Sequence, residues 1–237
     1  MTTTTSTPLP TTSRTSSGLQ RAGGIASLVK AATYLVGFGV LGAYLAPAGF
    51  LEAQGDPARS LAFLLDHQAA MYTWHLVLYL IGGAALVSLV IGVHDRLCRA
   101  AHGLSQTAAA VGILWAGLLF ASGLIALVGQ GAVIELAAAD PVTAVSTWSS
   151  VSVVQDALGG GIEIVGAAWV FLVSFAGMRT GALSRYLGAL GIAVGLAGAW
   201  TLVPQAVDYA GAIFGLGFIA WFVWAGISLL HGHRQAD

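Results

Sequence analysis

The chain has little charge: Asp, Glu, Lys and Arg make up 8% of its 237 residues. A soluble domain carries about 25%. With 57% hydrophobic residues and a mean hydropathy of +0.84, the composition is that of an integral membrane protein. Cysteine is nearly missing as well. Cys98 stands alone, which excludes an intrachain disulfide and a cysteine-built metal centre. A net charge of −1 leaves no basic surface for nucleic acid. Three catalytic signatures are missing: H-E-x-x-H, G-x-S-x-G and G-x-x-x-x-G-K-[ST]. A b-type haem needs histidines on two facing helices. His67, His75, His94 and His102 all fall on one predicted helix or its flanks. The reading is therefore of a non-enzyme, with no cofactor and no metal site.

Long apolar runs are what the chain does have. They predict an all-α, polytopic membrane bundle of six transmembrane helices over about 22–45, 70–93, 106–128, 157–178, 186–203 and 210–230. Residues 1–20, rich in Thr and Ser, read as a disordered tail ahead of the transmembrane domain 21–231. Residues 232–237 read as a short cytoplasmic tail. Ala46-Pro47-Ala48 has the small-x-small look of a cleavage site, but the preceding run is long for a signal core and contains Lys30. It is read as a helix, with Lys30 snorkelling back to the interface. Pro47 to His67 reads as a polar loop, and Gly129 to Val154 as a connection whose second half forms a surface helix or lengthens the fourth span.

Six spans place eight of the nine basic residues on one side, leaving only Arg59 on the other. The positive-inside rule then puts both termini in the cytoplasm. Glu52, Asp56, Asp66, Glu135, Asp140, Asp156 and Asp208 fall on the outer side or at its edge.

The fourth span organises the chemistry. Apolar from Leu158 to Met178 apart from Glu163 and Ser174, it gathers small residues on one face: Gly159, Gly166, Ala167, Ser174 and Gly177. That face is expected to pack on protein. The other face, with Val165, Trp169 and Leu172, is expected to meet lipid. A carboxylate in the hydrocarbon is expensive, so Glu163 is a functional candidate by default. The competing reading is a protonated packing acid. In the second span, Gln68, Tyr72, His75, Tyr79 and Gly82 share a stripe, with His75 at a depth similar to Glu163. Gln130, Gln205 and Asp208 sit just outside nearby helix ends. The candidate ligand- or proton-binding residues are thus Glu163, His75, Asp156, Tyr72, Tyr79, Gln205 and Asp208. Gly188, Gly191, Gly195 and Gly198 make a flat packing face on the fifth span. The other tryptophans, among them Trp115 and Trp221, read as an interfacial belt.

The run DALGGGIEIVGAAWVFLVSFAGMRTGALSRYLGALGIAVGLAGAWTLVP, followed by AIFGLGFIAWFVWAGISLL, resembles the C-terminal half of a bacterial family of six-helix membrane proteins. The shared features are the glycine-flanked Glu163, Trp169, the Arg-containing turn, the Gly-rich fifth helix ending in proline and the aromatic sixth. That family is catalogued only as a domain of unknown function. The resemblance implies a bacterial inner-membrane location and brings no activity. Two functional expectations follow. The first is a non-catalytic subunit or scaffold, with the lipid bilayer and a membrane-protein partner or second copy around it. The second is a small proton-coupled transporter or ligand-binding protein using a pocket around Glu163 and His75.

Overall fold

A computed structural model of the chain describes residues 13–159 and 163–231. The first part of the predicted tail (1–12), Gly160 to Ile162 of the predicted fourth span, and the tail 232–237 lie outside the described residues. Among the described residues the chain is helical, with no strand.

Helix α1 (Ser13–Val40) begins inside the stretch read as a tail and runs into a π-helical turn, Leu41–Leu45. Short helices α2 (Phe50–Ala53) and α3 (Pro57–Asp66) follow. Then α4 (Gln68–His75), a second π-helical turn (Leu76–Ile81) and α5 (Gly82–Leu97) form one continuous rod. Helix α6 covers His102–Ala139 and α7 Pro141–Gly159. The bundle is completed by α8 (Ile164–Thr180), α9 (Arg185–Trp200) and α10 (Val207–His231).

Among the described residues, five segments are long and apolar enough to cross a membrane: Gly18–Leu45, Gln68–Leu97, His102–Ala139, Pro141–Thr180 and Tyr209–His231. The sixth predicted span corresponds to α10, while the fifth corresponds to α9, which has only 16 residues. At 1.5 Å per residue α9 is about 24 Å long, short of a roughly 30 Å hydrocarbon core.

Packing joins the helices in a ring. Helix α1 packs on α5 and α10, α10 on α9, α9 on α8, α8 on α6, and α6 back on α5. The interior is aromatic. Trp169 and Trp221 meet edge to face with centroids 5.4 Å apart, and Phe218 stacks on Phe222 at 4.6 Å. Trp169, Trp221 and Phe218 are fully buried and Trp115 nearly so. This corrects two expectations. Trp169 does not face lipid, and Trp115 and Trp221 are core residues, not belt residues. Ring closure sets both outcomes, because it turns inward a face that a lone helix would show to lipid. The exposed Trp200 and Trp224 remain suited to an interface.

The small-residue faces pack as expected. Gly166, Ala167, Ser174 and Gly177 are buried, and so are Gly188, Gly191, Gly195 and Gly198. A Cβ on Gly195 would stand 3.0 Å from the carbonyl oxygen of Ala167, so α9 lies directly on the backbone of α8. The turn between them is closed by Gly181 at φ 70 and by Ser184, whose hydroxyl accepts from Leu187 N.

Helix α6 is about 57 Å long by its 38 residues, nearly twice the membrane core. Its far end carries a second small core. Helix α7 folds back along it, and α3 packs across α7. Leu45, Leu61, Phe63, Leu64, Met71, Val133, Ala144 and Trp148 are buried together there. Trp148 Nε1 donates to Ser60 Oγ at 2.9 Å. The stretch read as a polar loop is thus a helical cap. Asp56 starts α3 by accepting from Ala58 N and Arg59 N, with Pro57 in the first turn. The apolar residues between the charges are what cover α7.

Candidate functional site

A helix start lies inside the predicted fourth span. Helix α7 ends at Gly159 and α8 begins at Ile164. Glu163 occupies the boundary position, at φ −90 and ψ 22. It therefore stands at a helix start, not two turns inside a helix as its sequence position suggested. Helix α9 fixes the position: Glu163 N donates to Thr201 Oγ1 at 3.1 Å, and Thr201 Oγ1 donates to Gly198 O at 2.6 Å.

Facing Glu163 is Lys30, the single lysine of the chain. It is only 1% exposed. This overturns the expectation that Lys30 snorkels. Helix α1 starts at Ser13, so Lys30 lies 17 residues, about 26 Å, from that end, beyond the reach of its side chain. Its ammonium sits 4.7 Å from the Tyr34 ring centroid and 6.0 Å from that of Trp115. Such cation–π contacts stabilise a desolvated ammonium. A Cβ on Gly82 would fall 2.8 Å from Lys30 Nζ, so the lysine end rests against the rod α4–α5 where only hydrogen leaves room.

Lys30 and Glu163 interact electrostatically and line one cavity of about 200 Å³. Among the described residues, neither the ammonium nor the carboxylate is held by a side-chain hydrogen bond, and no ion pair within 4.0 Å joins them. Tyr34, Trp74 and Tyr79 supply aromatic wall. Both π-helical turns reach it, through Leu41 on one and Leu78 and Tyr79 on the other. Turns of this kind recur at functional sites because the inserted residue re-aims the side chains around it. Trp74 Nε1 donates to Gly37 O at 3.0 Å, tying α1 to α4 beside the cavity.

The candidate residues are thus divided. Glu163 and Tyr79 line the cavity. Tyr79 is buried, and its hydroxyl accepts from Gln155 Nε2 at 2.8 Å. His75 is buried nearby, but its partner is Gln130, not Glu163. His75 Nδ1 lies 2.7 Å from Gln130 Nε2 and 2.8 Å from Met71 O. Tyr72 and Asp156 are exposed and Gln205 is exposed beyond α9. Asp208 falls in the first turn of α10, with its side chain outside the described residues.

Lys30, Tyr34 and Thr201 were missed. Lys30 had a signal, a lone lysine within an apolar run; Tyr34 follows it by one turn on the same face. Thr201 had none, since it acts through a contact 38 residues away. No group of three or more His, Cys, Asp or Glu that could hold a metal gathers among the described residues.

Comparison with family models, with characterised proteins and with solved structures returns no match. The likeness over residues 156–230 stays a sequence resemblance, and the site rests on its own geometry.

Proposed function

We propose that this chain is a six-span protein of a bacterial plasma membrane that binds a small polar solute in the Lys30–Glu163 cavity and moves it in exchange for a proton, the two occupying Glu163 in turn. One observation carries the reading. A buried ammonium and a half-buried carboxylate face the same cavity, with no ion pair within 4.0 Å between them and no side-chain hydrogen bond to either among the described residues. Ionisable groups in membrane segments are costly and belong to substrate and proton paths. A purely structural pair would close to contact distance, where its attraction is greatest. Six crossings are supported by α9, which fills the place in the ring between α8 and α10. Cytoplasmic termini are supported by the basic residues of the α5–α6 and α8–α9 turns.

The test is a thermal-stability screen of the purified protein against a library of small polar solutes, followed by uptake into proteoliposomes under an imposed pH gradient. A solute at about 100 times its Kd adds roughly 2.7 kcal/mol of stability. The expected result is a hit that stabilises wild type, loses its effect in Glu163→Gln, and is taken up only with the gradient. A screen without hits, together with a stoichiometric partner retained in mild detergent, would replace this reading with that of a non-catalytic subunit.

A further inference from the structure

The cavity also limits what kind of solute it takes. We infer that its ligand is a small zwitterion, with an acidic group on Lys30 and an amino group on Glu163. This rests on the solute-binding reading above and narrows it.

The argument starts from the two charges. They line the same space but are not within 4.0 Å of each other. A ligand of one charge would satisfy one of them and leave the other desolvated. A ligand with both charges satisfies each and brings no net charge into the bundle. A neutral complex is the cheapest to hold in a low-dielectric interior.

Size and walls agree. An engineered protein cavity of about 150 Å³ takes benzene, so about 200 Å³ admits a ligand of roughly six to ten non-hydrogen atoms. Short amino acids are of that size. The rings of Tyr34, Trp74 and Tyr79 suit the aliphatic body of such a molecule and the face of its ammonium. The helix start beside Glu163 contributes too. Ile164 opens α8 directly after Glu163, so the positive end of that helix lies beside the carboxylate and steadies it for an incoming cation. Lys30, one turn before Tyr34, is held from behind by Gly82 and is left with the cavity in front.

The experiment is calorimetric titration of the purified full chain with three matched series. The first holds alanine, β-alanine, γ-aminobutyrate and leucine. The second holds the corresponding carboxylic acids without the amine, and the third the amines without the carboxylate. The expected result is that at least one amino acid binds about tenfold or more tighter than both of its singly charged analogues. Lys30→Met and Glu163→Gln should each weaken it by about 10- to 100-fold, the span expected for a hydrogen bond to a charged group. The analogue series needs no variant, so it decides even where a substitution disturbs folding. An acid that binds as tightly as its amino acid, indifferent to Glu163→Gln, would overturn the zwitterion while leaving a solute-binding protein. An amine that does the same, indifferent to Lys30→Met, would overturn it equally. If no compound in the three series binds but the solute screen yields a hit, the zwitterion fails alone. If both are empty, the solute-binding reading fails with it.

Discussion

Lys30 and Glu163 are coupled through the space they share, and this can be measured as stability. Removing either leaves the other as an uncompensated charge in a low-dielectric interior. Lys30→Met and Glu163→Gln should each lower the melting temperature. The double variant should recover most of the loss, with an interaction energy of about 0.5–3 kcal/mol in a double-mutant cycle followed by thermal unfolding in detergent. Strict additivity would mean that the two groups do not sense each other. His75 bonds to Gln130 and touches the cavity only through the rings of Trp74 and Tyr79, so His75→Ala should couple to either single variant less strongly than Lys30 and Glu163 couple to each other.

Among the helices, backbone contact decides which glycines matter. Gly23 on α1 and Gly92 on α5 lie face to face, and a Cβ on Gly23 would fall 2.8 Å from the Gly92 Cα. Neither backbone can move aside, so Gly23→Ala should cost about 1–3 kcal/mol by overpacking. Gly117 on α6 meets nothing within 4 Å, and there Gly117→Ala should be neutral or stabilise by up to about 1 kcal/mol through helix propensity. Thermal melts of the two variants side by side check this. The α6–α7 corner supplies a pH effect. The Thr143 hydroxyl, and then the Thr143 backbone N–H, bond to Asp140 and hold its carboxyl below the usual carboxylate range. A carboxyl lowered on folding stabilises above its unfolded pKa, and that contribution fades as pH falls through the folded one. Asp140→Asn should therefore be less stable than wild type at neutral pH and converge with it in acid. Melting curves from pH 7 down to pH 3 would show the convergence, and a constant gap would refute it.

At the scale of the whole molecule, topology is the measurable property. A six-span arrangement puts Arg59 on one side of the membrane and Arg185 on the other. In a chain whose native Cys98 is replaced by serine, Arg59→Cys should react with an impermeant maleimide from outside intact cells. Arg185→Cys should react only after permeabilisation. Labelling of both from one side would mean that one of the three apolar segments between them, Gln68–Leu97, His102–Ala139 or Pro141–Thr180, does not cross. The projecting end of α6, capped by α3 and α7, should also be the first part of the molecule opened to hydrogen exchange. Its buried cluster is small beside the aromatic core of the ring.

Much of this protein is legible in its residues alone. Scarce charge and long apolar runs dictate membrane helices, because only a helix satisfies its own backbone in hydrocarbon. The small-residue faces of α8 and α9 are visible as spacings of three and four, and Glu163 as a lone acid in an apolar stretch. These are local properties, carried within one helix. What only the tertiary structure decided depends on contacts between distant segments. Lys30 looked like an interfacial residue until the start of α1 at Ser13 placed it mid-helix. Trp169 looked lipid-facing until the ring of helices closed around it. Glu163 was paired with His75 by depth alone, whereas the rotation of each helix about its axis turned it toward Lys30 and His75 toward Gln130. Depth along a helix is written in the count of residues; the direction a side chain faces is set by which neighbours the helix packs against.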